Sequence, residues 1–405
     1  MDITGISFVD DLKLKGKKVF IRVDFNVPLN GSEITDDARI RAAIPTIEYV
    51  VEQGGIPIIA SHLGRPKGTP NPKYSMEPVA LRLAKLTGYE VILPESLHDP
   101  VIPTLIADIK PDQVVLLENL RFHPGEEKGD PEFAKSLADL ADIYISDAFG
   151  AMHRKHASVY QMVQHFGRGT KAAGLLVRDE IRALGGLLGQ PAKPFVAVMG
   201  GAKVSDKIGV LTSLIEKVDK VVIGGAMAYT FLAAQGHNMG ASRVEEDQID
   251  TALKILQRAA KLGKEIVLPV DHRIARSFDA KREEDVQVTS DIAISEGWMG
   301  LDIGPKSVEL FVSEIAEAKT IFWNGPMGVF ESELFSKGTM AVAHAIADAK
   351  GFTVIGGGDS ASAAKVAGVE KKVDHISTGG GASLELIENG TLPGIEALRL
   401  NHPFS

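Results

Sequence analysis

The chain has 405 residues, 44% hydrophobic and 24% charged, which excludes a disordered protein and sets an expectation of two or three domains. Lysine plus arginine is 44 and aspartate plus glutamate 53, a net charge of −9, so a general nucleic-acid binder is a poor candidate and any anion site must be locally basic. There is no cysteine, which excludes disulfides, thiolate metal sites and cysteine catalysis.

Taken in chain order, short apolar runs predict strands at 18–23, 56–60, 90–93, 113–117 and 143–145, then at 195–199, 221–223, 266–268, 320–323 and 352–355. The runs are continuous and rich in β-branched residues, the pattern of strands buried on both faces. Helix-period segments lie between them, at 39–51, 132–141, 208–218 and 249–262. Alternating strands and helices predict parallel sheets with crossover helices, an α/β fold. A helix-like stretch at 175–188 followed by Gln190-Pro191-Ala192-Lys193-Pro194 marks the expected boundary between two domains of similar size. No apolar run approaches the ~18 residues that cross a bilayer. The start Met1-Asp2-Ile3-Thr4 has no signal-peptide pattern, so a cytoplasmic protein with no membrane partner is expected.

The strand ends of the first half carry the chemistry. They run into Asp24-Phe25-Asn26-Val27-Pro28, Ser61-His62-Leu63-Gly64-Arg65-Pro66, Glu118-Asn119-Leu120-Arg121 and Asp147-Ala148-Phe149-Gly150, then His153-Arg154-Lys155-His156. Open parallel sheets bind ligands outside the carboxyl ends of their strands. Gathered there, Arg39, Arg65, Arg121 and Arg154, with His62 and His156, would form a cationic patch suited to phosphate and carboxylate oxygens. Each arginine alone also reads as a solvated or ion-paired surface residue, and His62 as a structural hydrogen-bonding residue. Four arginines at equivalent places in an acidic chain favour a small polyanion.

The second half ends its strands in glycine. The segments are Gly200-Gly201-Ala202-Lys203-Val204-Ser205-Asp206-Lys207, Gly224-Gly225, Asn324-Gly325-Pro326-Met327-Gly328-Val329-Phe330-Glu331 and Gly356-Gly357-Gly358-Asp359-Ser360. Glycine lets backbone amides approach a ligand, and a helix N-terminus beside them attracts phosphate. Lys203 and Lys207 are expected four apart at the start of the helix continuing through Ile208. Two cations there oppose the macrodipole unless an anion binds, or unless Asp206 neutralises them. Asp359 reads either as an N-cap or as a carboxylate for the metal of a nucleotide, and Glu331 as a surface acid or a ribose acceptor. No Gly-x4-Gly-Lys-Ser/Thr or His-Glu-x-x-His occurs. Gly356 to Ala361 matches Gly-x-Gly-x-x-Ala, with Asp374 loosely placed for a ribose, and this keeps a nicotinamide-dependent oxidoreductase as an alternative.

Taken together, these motifs, with Gly297-Trp298-Met299-Gly300-Leu301-Asp302-Ile303-Gly304-Pro305 and Ser377-Thr378-Gly379-Gly380-Gly381-Ala382-Ser383, resemble the phosphoglycerate kinase family over nearly the whole chain. The resemblance implies two Rossmann-like domains, each a mostly parallel sheet with helices on both faces, joined by a hinge helix. The expected bounds are 1–174, 175–189 and 190–390, with about 391–405 returning to the first domain. It implies reversible transfer of the acyl phosphate of 1,3-bisphosphoglycerate to ADP, giving 3-phosphoglycerate and ATP, with Mg2+. Asp24, Phe25, Asn26, Arg39, His62, Leu63, Gly64, Arg65, Arg121, Arg154 and His156 are implied on the phosphoglycerate side. Gly201, Lys203, Lys207, Gly225, Leu301, Asn324, Glu331, Gly357, Gly358, Asp359 and Ser360 are implied on the nucleotide side, Asp359 as the metal-linked acid. Arg39, Lys203 and the amides of Gly357 and Gly358 are the expected catalytic groups. Closure around 175–190 and Thr378 would join the half-sites in one monomer. Lys155 departs from the family pattern and is expected to alter charge near the acid. A catalytically silent scaffold of the same fold is a third reading.

Overall fold

The computed structural model describes residues 5–97 and 99–399. The chain forms two compact units, Met1–Arg182 with Thr391–Ser405, and Ala183–Gly390.

The first unit holds a parallel sheet of β1 (Lys18–Val23), β2 (Ile56–Ala60), β3 (Glu90–Ile92), β4 (Gln113–Leu116), β5 (Ile143–Asp147) and β6 (Lys171–Ala173), in the order β3-β4-β2-β1-β5-β6. The chain lays β2 to one side of β1 and β5 to the other, so the order reverses at β1. The carboxyl ends of β1, β2 and β5 therefore flank one crevice. Register is tight there, Arg22 lying opposite both Ala60 and Ser146. Helix α1 (Ala38–Glu52) buries Ile40, Ala43, Ile47 and Val50, a helix-period stripe, against Val19, Ile21 and Val23 of β1. The strand expected at 143–145 continues to Asp147, whose buried Oδ1 accepts the Val177 amide at 3.2 Å in the first turn of α2 (Leu175–Leu188). The border between the units falls within α2, after Arg182.

The second unit holds a parallel sheet and a small antiparallel one. Its strands are β7 (Phe195–Met199), β8 (Lys220–Ile223), β9 (Glu265–Val267), β10 (His272–Ala275), β11 (Val286–Val288), β12 (Met299–Ile303), β13 (Thr320–Asn324), β14 (Phe352–Ile355) and β15 (His375–Ile376). The parallel sheet runs β9-β8-β7-β13-β14-β15, and the antiparallel one β11-β10-β12. Order reverses at β7, so Gly200, just after β7, and Asn324, the last residue of β13, stand at the ends of adjacent strands at a second switch point. The helices around this edge are α3 (Ile208–Ile215), α4 (Met227–Ala234), α5 (Ile249–Lys261), α6 (Gly358–Val366) and α7 (Gly381–Asn389).

The last helix, α8 (Pro393–Leu398), belongs to the first unit. Buried Lys171 caps it, donating from Nζ to the Ala397 carbonyl at 2.8 Å, and Gly394 N donates to Met152 O at 2.8 Å. The expected course of 400–405 lies outside the described residues. Among the described residues no helix is long and apolar enough to cross a membrane.

Candidate functional site

In the first unit the functional side chains stand on a buried charge layer. Arg22 is fully buried because β1 is covered on both faces. Its Nε donates to Ser158 Oγ at 2.7 Å, one Nη donates to the Val23 carbonyl, and the other lies 3.2 Å from His62 Nδ1. Glu126, also fully buried, is its counter-ion at 3.8 Å and accepts from the Ser158 amide and hydroxyl at 3.0 and 2.6 Å. Above this layer Asp24 Oδ2 accepts from Arg39 Nη1 at 2.9 Å, while Asp24 Oδ1 accepts the Asn26 amide at 3.2 Å and lies 4.0 Å from His62 Nε2. Asn26 Oδ1 in turn accepts Gly64 N at 2.9 Å, and Arg121 Nη1 donates to Gly64 O at 2.7 Å. Gly64 has φ +60°, and a Cβ there would stand 2.4 Å from the Tyr74 ring, so only glycine closes this knot.

Arg39 and Arg154 are partly exposed, and Arg121 is buried beside Glu127 at 3.3 Å. Arg65 is exposed and has no ion-pair partner among the described residues. Burial lowers the His62 pKa well below the usual histidine value, helped by Arg22, Arg121, His156 and Arg39. His156 is lowered to about 3, again by burial first and then by Arg22, Arg121, Arg154 and His153. Both rings are therefore neutral at pH 7, and each ring has one N–H to donate. The field of Arg22, Arg39, Arg121 and Arg154 at the two rings ties these six residues into one cluster with a surplus of guanidinium; Arg65 shares no such contact. Phe25 and Leu63 stand apart in role. Both are buried, and the amides are taken by Ser61 Oγ at 2.8 Å and Asn119 Oδ1 at 3.2 Å. They shape the site wall and present no free amide. Lys155 is exposed, its ammonium 5.0 Å from the Tyr160 ring centroid.

The second unit offers two cavities that share Asp359. One, about 500 Å³, is lined by Gly201, Gly225, Leu301, Glu331 and Asp359, with Tyr229, Arg243, Phe278 and Met299. The other, about 230 Å³, is lined by Lys207, Asn324, Gly357, Gly358, Asp359 and Ser360, with Gly380 and Gly381. The first is a mainly apolar slot of the kind that takes a flat ring, with two acids, Glu331 and Asp359, at its wall. Gly225, at φ +66°, would place a Cβ 2.6 Å from Gly201 N, so the slot keeps its shape only with glycine. The second is an anion cradle. Helices α6 and α7 both begin there on glycine N-caps with no side-chain cap; in α7 the Ala382 amide turns back to the Gly379 carbonyl at 3.0 Å, while the first-turn amides of α6 face the cradle. Lys207 Nζ reaches into it and bonds Asn324 Oδ1, whose Nδ2 donates to Gly356 O at 2.6 Å. Ser360 Oγ accepts Gly325 N at 2.6 Å, which locks α6 to the end of β13. Burial lowers the Lys207 pKa to about 8, against the opposing pull of Asp359 and Asp206.

The expectation for Lys203 and Lys207 is corrected. Helix α3 begins only at Ile208, with Lys207 as its N-cap and Lys203 in the preceding turn. The turn departs from helix because Gly201 has φ +116° and because Glu245 takes the amides of Val204 and Ser205 at 2.5 and 3.2 Å. Lys203 is exposed, lines neither cavity and has no ion-pair partner among the described residues. Glu245, Phe278 and Arg243 carry no signal in the sequence. An acid four residues before a helix looks like any capping residue, and Phe278 sits in no apolar run.

Two further expectations meet the geometry. Asp374 is taken up locally: its Oδ2 accepts from Thr353 N and Oγ1 at 2.8 and 2.9 Å, and its own amide donates to Thr353 Oγ1 at 2.9 Å. It braces β14 and is not free for a ribose, so the dinucleotide alternative is not favoured. Among the described residues no cluster of three metal-ligating side chains occurs. Exposed Asp359, the acid that lines both cavities, fits magnesium, which binds through one or two carboxylates and the oxygens of its phosphate ligand.

The chain is similar to known proteins over nearly its whole length. Residues 9–390 match the family model described as phosphoglycerate kinase. A phosphoglycerate kinase of Thermosipho africanus is 53% identical over 393 residues, 96% of this chain and 97% of that one. One of Moorella thermoacetica is 50% identical over 388 residues, covering 96% and 98%. The solved structure of phosphoglycerate kinase from Coxiella burnetii superposes with a TM-score of 0.87 at 38% identity, covering 97% and 98%. That from Pyrococcus horikoshii superposes at 0.83 and 31% identity, with the same coverage.

Proposed function

Because this chain belongs to the phosphoglycerate kinase family, we propose that its guanidinium cluster and its paired cavities are the two half-sites of one phosphotransfer reaction. The activity is the glycolytic one, reversible transfer of the acyl phosphate of 1,3-bisphosphoglycerate to ADP, giving 3-phosphoglycerate and ATP. The observation that carries the division of roles is the cradle of two uncapped helix N-termini around Lys207, beside a slot shaped for a base.

Running toward 1,3-bisphosphoglycerate, the attacking group is a carboxylate already ionised at neutral pH. It needs no general base. It needs alignment and cations on the phosphoryl oxygens. Arg39 and Lys203 are assigned to the transferring group, with the Gly357 and Gly358 amides opposite. Arg65, Arg121, Arg154, His62 and His156 hold the phosphate and carboxylate of the three-carbon acid. Asp24 and Asn26 aim Arg39 and Gly64. Gly225 and Leu301 hold the base, Glu331 the ribose hydroxyls, and Gly201, Lys207, Asn324 and Ser360 the phosphates. Magnesium held at Asp359 would neutralise charge on the nucleotide phosphates. The half-sites lie on separate units, so transfer requires them to meet. Residues 175–189 are assigned as the hinge between an acid-binding domain (1–174 and 391–405) and a nucleotide-binding domain (190–390). One chain carries both half-sites, so a cytoplasmic monomer suffices.

The test is MgATP plus 3-phosphoglycerate, with product drained by glyceraldehyde-3-phosphate dehydrogenase and NADH. NADH loss that needs both substrates is expected, and a folded enzyme that shows none overturns the reading. Lys207 supplies a pH signature. A bound polyphosphate favours its charged form, so the complex holds more protons than the free enzyme near pH 8. Nucleotide affinity should therefore be steady below about pH 8 and fall above it. Titration calorimetry at pH 7 and 9.5 reads this. Lys207→Met should bind weakly at both, with the slope removed.

A further inference from the structure

Lys203 poses a problem of positioning. It is assigned to the transferring phosphoryl group, yet it stands on an exposed turn outside any helix, and its side chain has no ion-pair partner among the described residues. A four-carbon side chain on a loose turn would sample many positions. The turn is not loose, and the reason lies about forty residues further along the chain. Glu245 Oε2 accepts the amides of Val204 and Ser205 at 2.5 and 3.2 Å, and its Oε1 accepts the Ser205 hydroxyl at 2.6 Å. Glu245 is itself held, its amide donating to Oγ1 of buried Thr230 in α4 at 3.1 Å. The Val204 side chain is fully buried, so the turn is fixed from below by packing and from the side by the carboxylate.

We propose that Glu245 is a positioning residue for phosphoryl transfer: by capping the Val204 and Ser205 amides it fixes the backbone beside Lys203 and leaves that lysine's ammonium, not the turn's amides, to meet the phosphoryl group. This rests on the assignment of Lys203 above. An anionic ligand would be drawn to two free amides next to a helix start. With the carboxylate in that place the turn repels a second anion. The cation then has to come from Lys203, whose side chain is free to reach outward.

The experiment is a double-mutant cycle read by steady-state kinetics with MgATP and 3-phosphoglycerate. Glu245→Ala should lower kcat by about tenfold to a hundredfold, with KM for MgATP changed by less than about twofold. Glu245→Gln keeps one acceptor oxygen and should recover part of the loss. Ser205→Ala, which removes only the hydroxyl bond, should show a smaller loss and serves if Glu245→Ala does not fold. In a Lys203→Ala background, adding Glu245→Ala should lower kcat no further, because the residue acts through that lysine. An additive loss in that background would mean general loosening and overturns the inference. So would a rise in nucleotide affinity with kcat intact, which would make Glu245 a competitor for an anion site. Lys203→Ala with near-normal turnover removes the lysine's assignment itself. An inactive Lys203→Ala beside a fully active Glu245→Ala removes only the present inference.

Discussion

Replacing Arg39 with alanine should lower kcat by about two to three orders of magnitude while nucleotide affinity stays within about threefold. Arg39 is the second residue of α1, at the carboxyl edge of the first sheet. Its side chain is 36% exposed, and its guanidinium is held by Asp24 at 2.9 Å. An arginine placed for structure would be buried in its ion pair, as Arg22 is. Arg39 instead keeps donors free for a ligand, and Asp24 aims it. Charge grows on the phosphoryl oxygens during transfer, so a cation that meets them there acts mainly on kcat. The cavities proposed for the nucleotide lie in the other unit, which is why affinity for MgATP should survive the change. Arg39→Lys keeps the charge and loses the planar fork, and should restore only part of the rate. Steady-state kinetics at saturating substrates and a nucleotide titration decide it. Near-normal turnover in Arg39→Ala would remove the residue from the transfer step.

Much of this architecture was legible in the sequence because both central sheets are parallel and covered on both faces. Such strands read as unbroken β-branched runs, and Lys18–Val23, Ile56–Ala60, Phe195–Met199 and Phe352–Ile355 begin and end where the runs do. The glycine-rich strand ends were equally plain, since a positive φ with the Tyr74 ring against Gly64, and with the Gly201 backbone against Gly225, leaves glycine no substitute at either. The antiparallel sheet was not legible. Its strands carry His272, Arg273 and Asp302, all buried and all polar, so no apolar run announces them. Burial is secured there by partners distant in sequence: Arg273 pairs with Glu283, and Asp302 accepts the Gly338 amide. The same blindness hid Glu245 and the Arg22–Glu126 pair. Each is a contact between a charged residue and a remote segment, and a linear pattern holds no trace of it. The start of α3 differs from the periodic pattern for a related reason. Local periodicity favours an earlier start, and the carboxylate of Glu245, from the segment between α4 and α5, overrides it.

The buried pair has a consequence of its own. Glu126→Ala should destabilise the first unit by about 3–5 kcal/mol, because it leaves the guanidinium of Arg22 buried without its counter-charge. Ser158 loses the acceptor for its amide and hydroxyl at the same time, a second unsatisfied group in the same place. For a unit of this size such a loss lowers the unfolding midpoint by on the order of 10 °C. The two tryptophans, Trp298 and Trp323, both lie in the second unit, so their emission reports that unit, while circular dichroism sees both. The expected result is an early transition in circular dichroism that tryptophan emission does not share. Replacing both partners, Arg22→Met with Glu126→Leu, removes the stranded charge and should cost less than Glu126→Ala alone. A single-variant loss under about 1 kcal/mol would mean that Arg22 draws its compensation from its neutral partners, Ser158, Val23 and His62. In the expected case the rim above is affected as well, since Arg22 is what holds His62 beside Asp24. Activity should then fail before the fold does as temperature rises.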